Sequence, residues 1–140
     1  MAISDVVCAE AERLMREEGY AYLDVRSVPE FEAGHPAGAY NIPVMEPGPA
    51  GMQPNPSFLA SVQGAFEKDA KIVLGCQAGG RSLRACNILH EAGFTNVKNV
   101  AGGFGGGQDS QGNPADGWHA SGLPVANKPE EGRHYNALKK

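Results

Sequence analysis

Apolar positions along the chain switch between two periods. Val7, Ala11, Leu14 and Met15 recur at helical spacing, with Ser4 or Asp5 before them as a cap and Gly19 behind them as a stop. Cys8 falls within that helix as a small packing residue. Tyr20 to Arg26 reads as a strand, with Asp24 and Arg26 at its exit. Pro29 starts a short helical turn through Phe31 and Ala33 that Gly34 ends, and His35 follows as a structural loop residue. Ala39 to Ile42 is a short strand closed by Pro43. Residues 46–56, rich in Pro and Gly, predict an irregular exposed loop. Asn55 then caps a helix opening at Pro56, with Phe58, Leu59, Val62 and Phe66 on its apolar face.

Ile72 to Leu74 is an apolar run of buried-strand type. The stretch from Ser82 to His90 is helical, with Leu83, Cys86 and Leu89 turned inward and an end at Gly93. Val97 to Val100 is a further strand. Residues 102–117 hold Gly, Gln, Asp, Ser and Asn and no plausible core; packing resumes at Trp118, Leu123 and Val125. Strands alternating with helices predict an α/β fold, a mainly parallel sheet covered on both faces. The expected organisation is a single domain over 1–126 with an insertion at 104–117, then a polar tail over 127–140 that lies on the surface or is partly loose.

Composition narrows the function. The 140 residues allow one substantial core, and 41% hydrophobic with 20% charged residues is ordinary for a globular domain. A net charge of −4 argues against nucleic acid and anionic membranes as partners. Three cysteines, Cys8, Cys76 and Cys86, form no metal pattern and no disulfide framework, which points to a reducing compartment. No apolar run reaches the roughly 18 residues of a membrane span. The N-terminal residues lack a signal-peptide core, so a cytoplasmic setting is the expectation, although a trimmed organellar chain has the same look.

The chemistry concentrates at Cys76-Gln77-Ala78-Gly79-Gly80-Arg81-Ser82, a cysteine at a strand end followed by a glycine turn and a helix. The first amides of a helix lack intrahelical partners, and the helix dipole puts partial positive charge there. Glycines let such a loop curl its N–H groups inward into an anion cradle. A thiol at this place is expected to have a lowered pKa, in the range of about 3.5–7.5 found at such sites, and Arg81 adds a permanent charge. Cys76 is therefore a candidate nucleophile.

These residues resemble the rhodanese family. Leu23-Asp24-Val25-Arg26, Glu30-Phe31, Gly34-His35, Gly38-Ala39 and Asn41-Ile42-Pro43 look like its N-terminal signature. Cys76 to Ser82 looks like the C-x-x-G-x-R-S loop of single-domain rhodanese sulfurtransferases. Asn99-Val100-Ala101-Gly102-Gly103, Trp118 and Gly122 to Val125 resemble its closing segments. The resemblance implies a rhodanese-like three-layer fold, with a largely parallel five-stranded sheet between helices. It implies that Cys76 accepts the outer sulfur of a small donor such as thiosulfate as a persulfide. A thiophilic acceptor, cyanide or a small or protein thiol, then takes that sulfur. Gln77, Ala78, Gly79, Gly80, Arg81 and Ser82 would form the substrate cradle, Arg81 closing it, with Asp24 and Arg26 in support. No cofactor and no metal are needed.

Two features depart from the family. Fourteen residues, Phe104 to Gly117, separate Gly103 from Trp118, where the family usually places tryptophan soon after the glycine pair. Gly34-His35-Pro36-Ala37-Gly38 also alters a local turn. The long insertion is expected to stand as a rim over the pocket. Two other readings compete. One is a non-catalytic rhodanese-type binding module; members of that kind often lack the cysteine. The other is a phosphatase-like or arsenate-reducing enzyme, whose cysteine-to-arginine loop is typically a residue longer.

Overall fold

The chain begins differently from the expected helix cap. The computed structural model describes residues 3–140; Met1 and Ala2, the first two residues of the expected domain, lie outside the described residues. Ser4 and Asp5 belong to a strand, β1 (Ser4–Val6), and α1 (Cys8–Glu18) starts from Val7 without a side-chain cap. Gly19 ends α1 in the left-handed conformation, its N–H bonded to the Leu14 carbonyl, as the sequence predicts. β2 (Ala21–Asp24) is shorter than the predicted Tyr20–Arg26, although Val25 still donates its N–H to the Gly75 carbonyl at its exit. α2 (Val28–Ala33) carries Pro29 in its first turn and stops at Gly34. His35 sits in a strand, β3 (His35–Pro36), buried and stacked on Phe31 at 3.8 Å, its Nδ1 on the Phe31 carbonyl.

β4 (Tyr40–Asn41) is followed by a hairpin where an irregular loop is predicted. β5 (Met45–Gly48) and β6 (Gly51–Pro54) pair antiparallel on the surface. Before α3 (Phe58–Ala65), Asn55 is a buried tie. Its Oδ1 accepts the Ser57 N–H and its Nδ2 bonds the Pro43 carbonyl and the Tyr135 hydroxyl. β7 (Ile72–Gly75) runs into the cysteine loop and α4 (Gly80–Glu91), then β8 (Val97–Val100). Within the insertion, β9 (Gly107–Gln108) pairs with β10 (Pro114–Ala115). β11 (Val125–Ala126) pairs with β3, and α5 (Tyr135–Leu138) ends the chain. Tyr135 is buried among core residues, and the Arg133 carbonyl accepts the Asn41 N–H, so the polar tail is docked.

The main sheet has the order β1-β8-β7-β2-β4, and every pair in it is parallel. Strand alternation splits its side chains between two cores. Leu23, Ile72, Leu74 and Val97 pack with Phe58, Val62, Ala85, Cys86, Leu89 and Tyr135 on one face. Tyr22, Val73 and Val100 pack with Cys8, Ala11, Leu14, Phe31 and Trp118 on the other. Full burial of each such aliphatic side chain stabilises by about 1.5–3 kcal/mol. Thus α1 and α2 cover one face and α3, α4 and α5 the other. Leu83, expected in the core, is only half-buried at the start of α4.

Connections leaving β2 and β7 diverge. β2 continues through α2 toward β4 at one edge, while β7 continues through α4 toward β8 on the other side. The carboxyl ends of these two neighbours form the switch point where open α/β sheets bind ligands. Gly75 lies at that point because the Tyr22 ring crosses it: a Cβ there would overlap the Tyr22 hydroxyl. Gly75→Ala is expected to lower unfolding stability by about 2 kcal/mol through overpacking. The same substitution in a Tyr22→Leu background should cost clearly less, as urea unfolding of the four proteins would measure.

Candidate active site

Cys76 follows β7 directly and is 2% exposed. Its Sγ accepts the Gly79 N–H at 3.0 Å and lies 3.5 Å from the Ser82 hydroxyl. Gly79 is the residue before α4 and has φ 117°, a conformation that turns its N–H back onto the sulfur and that a side chain would strain. The sulfur therefore sits at the positive end of a 12-residue helix. Ala78, Gly79, Gly80 and Leu83 form one wall of an open cavity of about 610 Å³ beside the loop, and residues 107–110 form the other.

The other two cysteines are placed against reactivity. Burial, with Asp116 nearby, pushes the Cys8 thiol up to about 11. Burial, with Asp5 and Cys76 nearby, pushes Cys86 up to about 12.

Asp24 and Arg26 lie where the sequence puts them, at the exit of β2, and both are buried. They pair with each other, Arg26 Nη2 to Asp24 Oδ2 at 2.8 Å. Burial pushes the Asp24 carboxyl up, and the Arg26 contacts oppose it. Arg26 Nη1 donates to Gln77 Oε1 at 3.0 Å and Nη2 to the Gly34 carbonyl at 2.6 Å. Arg26 thus reaches the first residue after Cys76, and it does not take Glu30 as its partner. Glu30 belongs to Arg81, whose two terminal nitrogens hold its two oxygens at 2.7 and 2.9 Å. The Arg81 fork consequently braces α4 against α2, and its hydrogen bonds among the described residues all go to Glu30.

The insertion closes on the loop backbone to backbone. Phe104 N donates to the Cys76 carbonyl at 2.7 Å and Gly105 N to the Gln77 carbonyl at 2.9 Å. A Cβ at Gly103 would overlap the Cys76 carbonyl, so that approach needs glycine. Phe104, read as coreless from sequence, packs against the core cluster that holds Trp118 and lies under the Arg26 guanidinium at 4.5 Å. Trp118 is buried against Tyr22, with its Nε1 on the Pro124 carbonyl.

Sequence reasoning missed Glu30, Asn99 and Asp5 as neighbours of the loop; Phe104 was expected only as part of a rim. Ser27-x-x-Glu30 is a helix-start pattern that could have drawn notice, since Glu30 Oε1 accepts both the Ser27 N–H and hydroxyl. Asn99 is a polar residue at an inward position of β8, another readable signal.

With this geometry in view, comparison with known proteins gives a consistent answer. A model of the rhodanese-like domain matches residues 7–110. The chain is 43% identical over 107 residues to Thiosulfate sulfurtransferase 16, chloroplastic, of Arabidopsis thaliana, covering 76% of this chain and 80% of that protein. It is 47% identical over 92 residues to Senescence-associated protein DIN1 of Raphanus sativus, covering 66% of this chain and 50% of that one. The chain therefore spans most of the first relative and half the length of the second. The crystal structure of Rv0390 from M. tuberculosis superposes with a TM-score of 0.72 at 28% identity, over 91% of this chain and all of that one. The chain belongs to the rhodanese-like domain family, and its similar relatives include proteins named as thiosulfate sulfurtransferases. No helix among the described residues is long and apolar enough to cross a membrane.

Arg81 holds the Glu30 carboxyl down, at about 2 against an ordinary 4.5, with burial opposing and Ser27 assisting. A depressed folded-state value stabilises the fold above about 4.5, and that contribution is lost as pH falls through about 2. Glu30→Gln is expected to cost about 0.5–1 kcal/mol near neutral pH, a modest figure because the pair is partly exposed. The difference from the parent should shrink as denaturant unfolding is repeated from pH 5 down to about 3.

Proposed function

We propose that this protein is a sulfurtransferase that carries a sulfane sulfur on Cys76. The observation that supports the reading most is the Cys76 sulfur held by the Gly79 N–H at the start of α4. The Cys76 thiolate attacks the outer sulfur of a donor such as thiosulfate. A new S–S bond forms at Cys76, the donor's S–S bond breaks, and its electron pair departs on sulfite. The acceptor, cyanide or a small or protein thiolate, then attacks the outer sulfur and returns the pair to Cys76 as thiolate. No external oxidant or reductant enters either half.

Both the persulfide and the sulfite are anionic, and unpaired amides at a helix start stabilise such charge. Gln77, Ala78, Gly79, Gly80 and Ser82 form the cradle through their backbone amides in this reading. Arg81 contributes by bracing the loop on Glu30 as well as by its charge. Asp24 and Arg26 support the loop through Gln77. The names of relatives favour an organellar setting over the cytoplasmic one expected from sequence, which finds no support among them.

Mass spectrometry tests the reading. Thiosulfate should add one sulfur, about 32 Da, to the parent protein as a persulfide. Cyanide should remove it and release thiocyanate. Cys76→Ser should take up none, while Cys8→Ser and Cys86→Ser keep the adduct. A folded parent that gains no sulfur from any sulfane donor would instead favour the non-catalytic binding module.

A further inference from the structure

A polar chain, buried at its Cys76 end and exposed at Ser110, runs from the Cys76 sulfur to the insertion through Ser82, Asn99 and Asp5. Ser82 Oγ lies 3.5 Å from Cys76 Sγ, 3.1 Å from the Gly79 carbonyl and 2.6 Å from Asn99 Oδ1. Asn99 Nδ2 donates to Asp5 Oδ1 at 2.9 Å. The other Asp5 oxygen accepts the Ser110 N–H at 2.8 Å and the Ser110 hydroxyl at 2.5 Å. Ser82 and Asn99 are almost fully buried. Asp5 and Asn99 face each other because β1 and β8 pair in register at these two residues.

Burial pushes the Asp5 carboxyl up, but the bonds from Ser110 and Asn99 outweigh it and hold it below the ordinary range. An ionised carboxylate can only accept. The Asn99 amide must therefore turn its NH₂ to Asp5 and its oxygen to Ser82. A serine hydroxyl has a single proton. Asn99 Oδ1, its shortest contact, takes that proton, so Ser82 presents lone pairs rather than a donor to the sulfur.

We propose that Asp5 and Asn99 are positioning residues for Cys76: they hold the Ser82 proton away from the sulfur and so preserve its nucleophilicity. The argument needs a nucleophilic Cys76 but not a sulfur substrate, so it rests on only part of the function proposed above. Ser110 lines the cavity beside the loop, which makes Asp5 the shared tie between that wall and the sulfur. With Asp5 neutralised, the Asn99 amide is free to turn over and donate to Ser82. The Ser82 proton then goes to the sulfur, and a thiolate that accepts an added hydrogen bond attacks more slowly.

The test is the pH–rate profile of Cys76 alkylation by iodoacetamide, in the full chain, with the modified residue identified by mass. Asp5→Asn is expected to lower the plateau rate about threefold, the scale of one modest hydrogen bond. Ser82→Ala removes the mobile proton, so adding Asp5→Asn to it should change nothing further. Asn99→Ala should act like Asp5→Asn. Circular dichroism identifies any variant that fails to fold, and Asn99→Ala serves if Asp5→Asn does. An unchanged plateau in folded Asp5→Asn and Asn99→Ala, or an equal drop with and without Ser82, would overturn the proposal. Sulfur loading by thiosulfate is scored separately, so failure of the sulfurtransferase reading is distinguishable from failure of this one.

Discussion

A guanidinium buried away from water must find its partners within the protein, and much of the site hangs on how Arg26 does so. It pairs with Asp24 on its own strand, bonds the Gly34 carbonyl at the end of α2, reaches Gln77 in the cysteine loop and lies over Phe104 of the insertion. Asn41 completes the arrangement from β4 by donating to the Asp24 and Arg26 carbonyls. Removing one partner of a buried ion pair typically costs about 3–5 kcal/mol, because the other charge is left uncompensated. Four separate stretches of chain are therefore held to one point. That point is the switch between β2 and β7, where the sheet topology already opens a crevice.

Around this anchor the cysteine loop is confined from several directions. Backbone bonds from Phe104 and Gly105 take up the Cys76 and Gln77 carbonyls. The Arg81–Glu30 pair ties the first turn of α4 to α2. Each tie uses groups that would otherwise be unpaired near the surface of the loop, so closing it satisfies backbone and side chains together. A sulfur held this way meets the fixed Gly79 N–H rather than reorienting water, which is how a preorganised site stabilises developing charge. The insertion is thereby a wall of the site, bonded to the loop at Phe104 and Gly105 and facing the cavity at 107–110, with a polar turn built on Asp109.

The local elements of the fold were legible because local backbone preferences decide them. Ala11 and Leu14 with Gly19 behind them specify α1, although Val7, expected on the same stripe, is the exposed residue before the helix; the apolar run at 72–75 and the short segments at 21–24 and 97–100 specify the sheet's inner strands. The glycine turn from Cys76 into α4 was legible for the same reason: a strand end, positive-φ residues and a helix start are all short-range features. Short elements were not. β1 spans three residues with a polar start and exists because β8 offers it an open edge. The hairpin at 45–54 has a composition that suits a loop equally well.

Which charge meets which was a matter for the tertiary structure alone. From sequence, Glu30 stands close to Arg26 and distant from Arg81, yet folding delivers it to Arg81 and gives Arg26 to Asp24 and Gln77. Asp5 reads as a helix cap, and only the register of two parallel strands sets it against Asn99 and, through Ser82, near Cys76. Periodicity and turn chemistry report on a residue and its near neighbours along the chain. Hydrogen bonds between side chains are decided over a few ångströms of space, between positions that can lie a hundred residues apart. The sequence by itself determined that Cys76 sits between a strand and a helix in an α/β domain; the packing of the layers decided what surrounds its sulfur.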